Sequence, residues 1–190
     1  MNKYKIIALF GEAGAGKDYI LKNIMNTIQG KRYLHEIVSC TTRPPREGEI
    51  DGVNYHFLSN PAELIKQDLL EYTIFRNWWY GTPVSSLDNN KINIGVFNIA
   101  GIDQLIHHDY LERVNCLPIY IKTFPKIRLL RQLQRETNPD CDEIIRRYLV
   151  DQKDFLNIPF VYKIIENNYD EIQPILLEIL DFAKSMDNIN

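Results

Sequence analysis

The segment Gly11-Glu12-Ala13-Gly14-Ala15-Gly16-Lys17 has the composition of a cradle for phosphate. Glycines let successive backbone N–H groups converge on anionic oxygens, a helix N-terminus adds the positive end of its dipole, and a lysine supplies a mobile point charge. The apolar run Ile6 to Phe10 precedes this loop and the helical pattern Tyr19 to Met25 follows it, which is the context the G-x-x-x-x-G-K motif needs. Asp18 stands where a serine or threonine hydroxyl normally meets Mg2+, and a carboxylate is also a good magnesium ligand. The strand end at Gly95 to Ile99, where a second metal carboxylate is expected, carries Asn98. We read the two exchanges as compensating, the carboxylate having moved from strand to loop with the charge around the metal unchanged.

A second anion site is written around Pro44-Pro45, flanked by Arg43 and Arg46. Two planar guanidinium forks on a proline-stiffened segment can be aimed at one phosphate dianion with little ordering entropy lost. Tyr55 can add a hydroxyl donor.

These residues need a scaffold, and the chain alternates apolar runs (Ile6–Phe10, Ile92–Ile99, Leu117–Ile121) with helix-like segments. That rhythm predicts an α/β fold, a P-loop parallel sheet with helices on both faces. Asn60-Pro61 and Pro125 mark helix starts, while Asn138-Pro139-Asp140 separates two helices. Between Ser39 and Thr82 short polar and aromatic pieces replace the βα rhythm, and Gln134 to Asp142 is rich in charge and turn formers. The expected organisation is one domain over 1–190: core 1–38, 83–133 and 143–184, an acceptor-binding lobe at 39–82 and a lid at 134–142. Residues Ser185 to Asn190 are expected to fray.

With 22 basic and 25 acidic residues, the net charge of −3 gives no footprint for nucleic acid. No stretch approaches the length of a membrane span, and the apolar start is too short for a signal peptide. Cys40, Cys116 and Cys141 lack C-x-x-C spacing, which fits a reducing cytoplasm. The adjacent His107 and His108 point to different helix faces and read as surface residues, and Trp78 and Trp79 read as packing residues.

From Ser39-Cys40-Thr41-Thr42-Arg43-Pro44-Pro45-Arg46-Glu47-Gly48-Glu49, through Asp51-Gly52-Val53-Asn54-Tyr55-His56-Phe57 and Leu70-Glu71-Tyr72, to Trp79-Tyr80-Gly81-Thr82, the chain resembles guanylate kinase. The resemblance implies transfer of the ATP γ-phosphate to GMP, with dGMP as a second acceptor and Mg2+ as cofactor. It implies that the loop from Gly11 to Asp18 binds ATP, and that Ser39, Glu71 and Thr82 face the guanine. Arg43, Arg46, Tyr55 and Tyr80 would hold the monophosphate, with Glu49 in the same group. One carboxylate such as Glu71 can accept both adjacent N–H donors of guanine, whereas adenine presents an acceptor there. Arg131 and Arg135, one turn apart, resemble lid arginines of that family; Arg146 or Arg147 is the third, with Arg147 taken as the candidate. Asn167 matches an asparagine beside the adenine, and Ala100 stands where a second acidic residue is expected.

Two enzymatic alternatives share Gly-Lys-Asp: ribose 1,5-bisphosphate phosphokinase, which lacks the full arginine-proline-arginine segment, and a broader deoxynucleoside monophosphate kinase. From another class comes a non-catalytic guanylate-kinase-like module that binds phosphopeptides, against which Lys17 and the lid arginines argue. The expected partners are nucleotides, with no nucleic acid and no membrane, and the chain is expected to be a monomer or homodimer.

Overall fold

In the computed structural model, residues 3–45, 48–75, 77–107, 112–135, 137–168 and 171–187 are described. Strand β1 (Tyr4–Phe10) leads through the phosphate loop into α1 (Lys17–Asn26), then α2 (Ile28–Tyr33) and β2 (Leu34–Glu36). Short strands β3 (Cys40–Thr41) and β4 (His56–Phe57), helix α3 (Pro61–Ile65), and strands β5 (Leu69–Phe75) and β6 (Trp78–Pro83) follow. Then come β7 (Ile92–Val96), α4 (Ile99–His107), β8 (Val114–Lys122), α5 (Pro125–Gln134), α6 (Cys141–Asp154), β9 (Lys163–Glu166) and α7 (Gln173–Asp187).

Five strands form a wholly parallel sheet in the order β2-β7-β1-β8-β9. The centre of this sheet is β1, where Ile6, Ile7, Ala8, Leu9 and Phe10 are each 0% exposed. Such burial on both faces explains the unbroken apolar run, and each large side chain contributes about 2 kcal/mol of transfer free energy. One face packs Ile20, Leu21 and Ile24 of α1 and Ile179 and Leu180 of α7; the other packs Ile102 and Leu105 of α4 with Phe160. The doubly covered α/β sheet is the architecture expected from the sequence.

A second sheet, β4-β3-β6-β5, is built from the segment between β2 and β7, with β6 antiparallel to both β3 and β5. Its edge strand β5 is tied to the core. Gln104 of α4 accepts from Tyr72 N at 3.1 Å and donates to Tyr72 O at 2.7 Å, so a side chain satisfies exposed strand backbone. Arg113 pairs with Asp68 at 2.6 Å beside it.

Asn60 caps α3, with Pro61 in its first turn, and Pro125 opens α5, as expected. The apolar run Ile92 to Ile99 does not continue as a strand: β7 ends at Val96 and α4 starts at Ile99. Its stop signal is Asn98, whose Oδ1 accepts from Gly101 N at 2.7 Å, an N-cap bond. Helix α7 extends through Ser185 to Asp187, within the tail expected to fray, with residues 188–190 outside the described set. Trp79 stacks on Tyr72 at 5.7 Å, and His107 meets Asp103 at 3.0 Å, while His108 is outside the described residues. All three cysteines are free, and among the described residues no helix is long and apolar enough to cross a membrane.

Candidate active site

The phosphate loop is held by backbone. Gly14 and Gly16 adopt φ of +78° and +90°; a Cβ would lie 2.5 Å from the Arg128 carbonyl at the first and 2.6 Å from Asn167 Nδ2 at the second. The carbonyl of Ala15 accepts from Asn167 Nδ2 at 2.8 Å, Thr123 Oγ1 at 3.2 Å and Arg131 at 3.5 Å. Three elements of the fold therefore converge on one peptide unit. Lys17 folds back to donate to the carbonyls of Gly11 at 2.7 Å and Glu12 at 3.1 Å. Burial lowers its pKa, and the charges of Asp18, Asp151 and Glu12 pull it back up.

Asp18 is exposed in the first turn of α1, where the helix dipole favours a carboxylate. It offers hard oxygen ligands beside Lys17, the chemistry Mg2+ takes. The side chain of Glu12 does not face the loop opening: Tyr120 donates to its Oε2 at 2.9 Å and Arg128 approaches Oε1 at 3.5 Å. Asn167 is 6% exposed and its Nδ2 donates to the Ala15 carbonyl, so it braces the loop.

The second sheet gathers the other candidates. Glu71 and Thr82 are cross-strand partners in β5 and β6, which turns both toward one side. Thr82 donates to Glu71 Oε1 at 2.7 Å, and the Ser39 hydroxyl lies 2.9 Å from Thr82 Oγ1, making a relay of two hydroxyls ending on a carboxylate. Burial pushes the Glu71 pKa up to about 7, against the lowering effect of the Thr82 bond.

Arg43 is 8% exposed, too buried for a solvated surface charge. Glu49 grips its fork at 2.8 and 2.9 Å, Pro44 O accepts a further bond at 2.8 Å, and the guanidinium lies 5.5 Å from the Tyr55 ring. Tyr55 packs edge-on against Tyr80 at 6.1 Å, and its pKa is pushed up to about 12, first by burial and then by the Asp18 carboxylate. Asp18 therefore lies close enough to act electrostatically on Tyr55. Arg46 lies outside the described residues.

On the lid side, Arg131 reaches the loop, while Arg135 and Arg147 line one cleft with Gln132, Asp140, Glu143 and Ile144. Glu143 binds both alternatives for the third arginine, Arg147 at 2.6 Å and Arg146 at 2.8 Å. Asp140 caps α6 by accepting from Glu143 N, which fixes the start of that helix.

Two sequence readings change. Asn98 uses its amide oxygen on Gly101 N and its amide nitrogen on Thr73 Oγ1 at 2.9 Å, so both ends are engaged beside the second sheet and not at a metal. The expected exchange of a metal carboxylate between Asn98 and Asp18 is therefore half lost. Moreover, a Cβ at Gly101 would lie 2.8 Å from Glu71 Oε2 and 3.3 Å from Asn98 Oδ1, whereas Ala100 is an exposed residue of the first helical turn. Gly101 is the position of α4 that abuts Glu71. Sequence reasoning also missed Arg128, Thr123, Tyr120 and Asp151, each of which has a partner in the phosphate loop more than a hundred positions away along the chain. Asp151 Oδ2 accepts from Ala13 N at 2.7 Å.

Comparison with known proteins places this geometry. The guanylate kinase family model matches residues 3–183. The guanylate kinase of Prochlorococcus marinus is 31% identical over 186 residues, covering 94% of this chain and 98% of its own length. That of Helicobacter pylori is also 31% identical, with 94% and 87% covered, and that of Sulfurimonas denitrificans is 29% identical, with 94% and 88% covered. The crystal structure of guanylate kinase from Anaplasma phagocytophilum aligns with a TM-score of 0.65 at 19% identity, over 98% of this chain and 88% of that one, a likeness of fold. A phosphate loop on a parallel sheet, a second sheet bearing a buried carboxylate and arginine, and a match along nearly the whole length agree: the chain belongs to the guanylate kinase family.

Proposed function

We propose that the protein transfers the γ-phosphoryl group of Mg-ATP to GMP, and to dGMP, giving ADP and GDP or dGDP. The observation that carries this reading is Glu71, a buried carboxylate that pairs with no lysine or arginine among the described residues, its pKa pushed up to about 7 and a hydroxyl relay at one oxygen. An ionised carboxylate has acceptor capacity for several donors, and the adjacent N–H groups of guanine supply two. Adenine would leave the buried charge unpaired, a loss of several kcal/mol that the site turns into discrimination.

Arg43, with Tyr55, Tyr80 and Arg46, receives the acceptor phosphate, and Glu49 aims the Arg43 fork. The loop from Gly11 to Lys17 receives the ATP phosphates, braced from behind by Asn167. Asp18 would hold Mg2+, which would supply charge neutralisation on the triphosphate. An acceptor phosphate is already a nucleophile, so the protein's task is alignment and charge stabilisation, not base catalysis. Lys17, Arg131, Arg135 and Arg147 meet the charge on the phosphoryl group in flight, Arg135 from a lid at 134–142 that excludes water and Arg147 from α6 just beyond it. The core at 1–38, 83–133 and 143–184 and the acceptor lobe at 39–82 then form one catalytic unit.

The test is ADP release from ATP and Mg2+ with GMP, dGMP, AMP, CMP, UMP or ribose 1,5-bisphosphate supplied separately. Turnover with GMP and dGMP is expected; binding of GMP without ADP release would replace the reading with that of a binding module, and release only with ribose 1,5-bisphosphate would replace its substrate.

A further inference from the structure

Behind the phosphate loop lies a charged cluster that the transfer reaction does not by itself require. Asp151 of α6 accepts from Ala13 N at 2.7 Å. Arg128 of α5 approaches Asp151 Oδ2 at 3.7 Å and Glu12 Oε1 at 3.5 Å, and its guanidinium stacks 5.4 Å over the Tyr148 ring. Arg128 is 3% exposed, and its Nε has no hydrogen-bond partner. Burial raises the Asp151 pKa, so desolvation opposes holding a charge there.

A loop N–H can be satisfied by water, a hydroxyl or a neutral amide, and burying charges is costly unless their geometry serves something. Helix α6 indicates what is served. Arg147 is four residues before Asp151, one turn away on the same face. A charge-assisted bond from Asp151 to the loop therefore fixes the distance between the loop and the turn that carries Arg147.

We propose that Asp151 is a positioning residue for phosphoryl transfer, bolting α6 to Ala13 of the phosphate loop so that Arg147 is carried at a fixed offset from Lys17, with Arg128 as counter-charge. The proposal rests on the reading of Arg147 as a residue of the transfer site. A displacement of about 1 Å at a catalytic group costs on the order of 100-fold in rate. The acceptor site stands on the other sheet and is not touched by this bond.

The experiment is a double-variant cycle of Asp151→Ala and Arg147→Ala in the full chain, measuring kcat and the KM for GMP and ATP, with thermal melts of each variant. Asp151→Ala is expected to lower kcat about 10- to 100-fold with the KM for GMP unchanged. In the Arg147→Ala background it is expected to cost almost nothing further, because the two residues act as one unit. Asp151→Asn, which keeps an acceptor for Ala13 N, is expected to restore most of the rate, and it takes the place of Asp151→Ala in the cycle if the alanine variant does not fold. Additive losses, a KM for GMP that moves with kcat, or an Asp151→Asn variant as slow as Arg147→Ala would overturn the proposal. Absence of GMP turnover in the unaltered protein would instead sink the functional reading, a distinguishable outcome.

Discussion

The phosphate loop and the proposed acceptor pocket are built from different material. The loop is held by peptide groups: the Ala15 carbonyl takes three donors, the Gly11 and Glu12 carbonyls take Lys17, and two glycines leave no room for a side chain. The acceptor pocket is held by side chain on side chain, Arg43 with Glu49 and Ser39 with Thr82 and Glu71. The first arrangement fixes a shape that many sequences can reach. The second rests on individual side chains, so a single substitution there is expected to change what is bound without disturbing the loop.

Removing Lys17, the loop side chain proposed to meet phosphate, has the largest expected effect. Lys17→Ala should lower kcat on the order of 1,000-fold, the scale of losing a preorganised electrostatic donor, while the KM for GMP stays within a few-fold. A comparable rise in the KM for GMP would mean that the two sites are not separately built.

The pH dependence of Glu71 separates them next. Guanine's donors need the carboxylate, so the KM for GMP should rise about tenfold per pH unit below about 7, while the KM for ATP does not follow it. Glu71→Gln should bind GMP weakly and lose this dependence. The stability effect has the opposite sign. Between the ordinary carboxyl value of 4.5 and about 7 the folded chain keeps a proton that the unfolded chain releases, so this group's contribution to stability declines as pH rises through that window. A melting temperature that rises across the window in the unaltered protein relative to Glu71→Gln would contradict the burial argument.

The smallest effect concerns the metal. Because Asn98 is engaged with Gly101 and Thr73 beside Glu71, Asn98→Asp should act on the acceptor and Asp18→Ser on magnesium dependence. The double variant should then be the sum of the singles within about 0.5 kcal/mol, as for independent sites. Recovery of magnesium-dependent turnover in the double variant would restore the compensation that the sequence suggested.

The phosphate loop was legible in the sequence because its glycines answer a local demand, positive φ and close backbone approach, that leaves a residue-type signature. The acceptor segment was legible through its match to a family, although burial of Arg43 was not, since a charged residue near prolines reads as surface until its partner is known. Asn98 was misread because an apolar run of eight residues, Ile92 to Ile99, hides the break; asparagine's preference for helix N-caps was the signal that could have found it. Asp151 and Arg128 had no such signal. Each sits on an amphipathic helix where charge is ordinary, and only the fold brings them to residues 12 and 13.

The most direct measurement of the account is calorimetric titration of Arg43→Ala with GMP and, separately, with a non-hydrolysable ATP analogue and Mg2+. Loss of the buried fork is expected to weaken GMP binding about 100-fold, the scale of a charged hydrogen-bonded pair, and to leave the ATP analogue's affinity unchanged. Equal loss of both affinities, or unaltered GMP binding, would contradict the separation of the two sites on which the account stands.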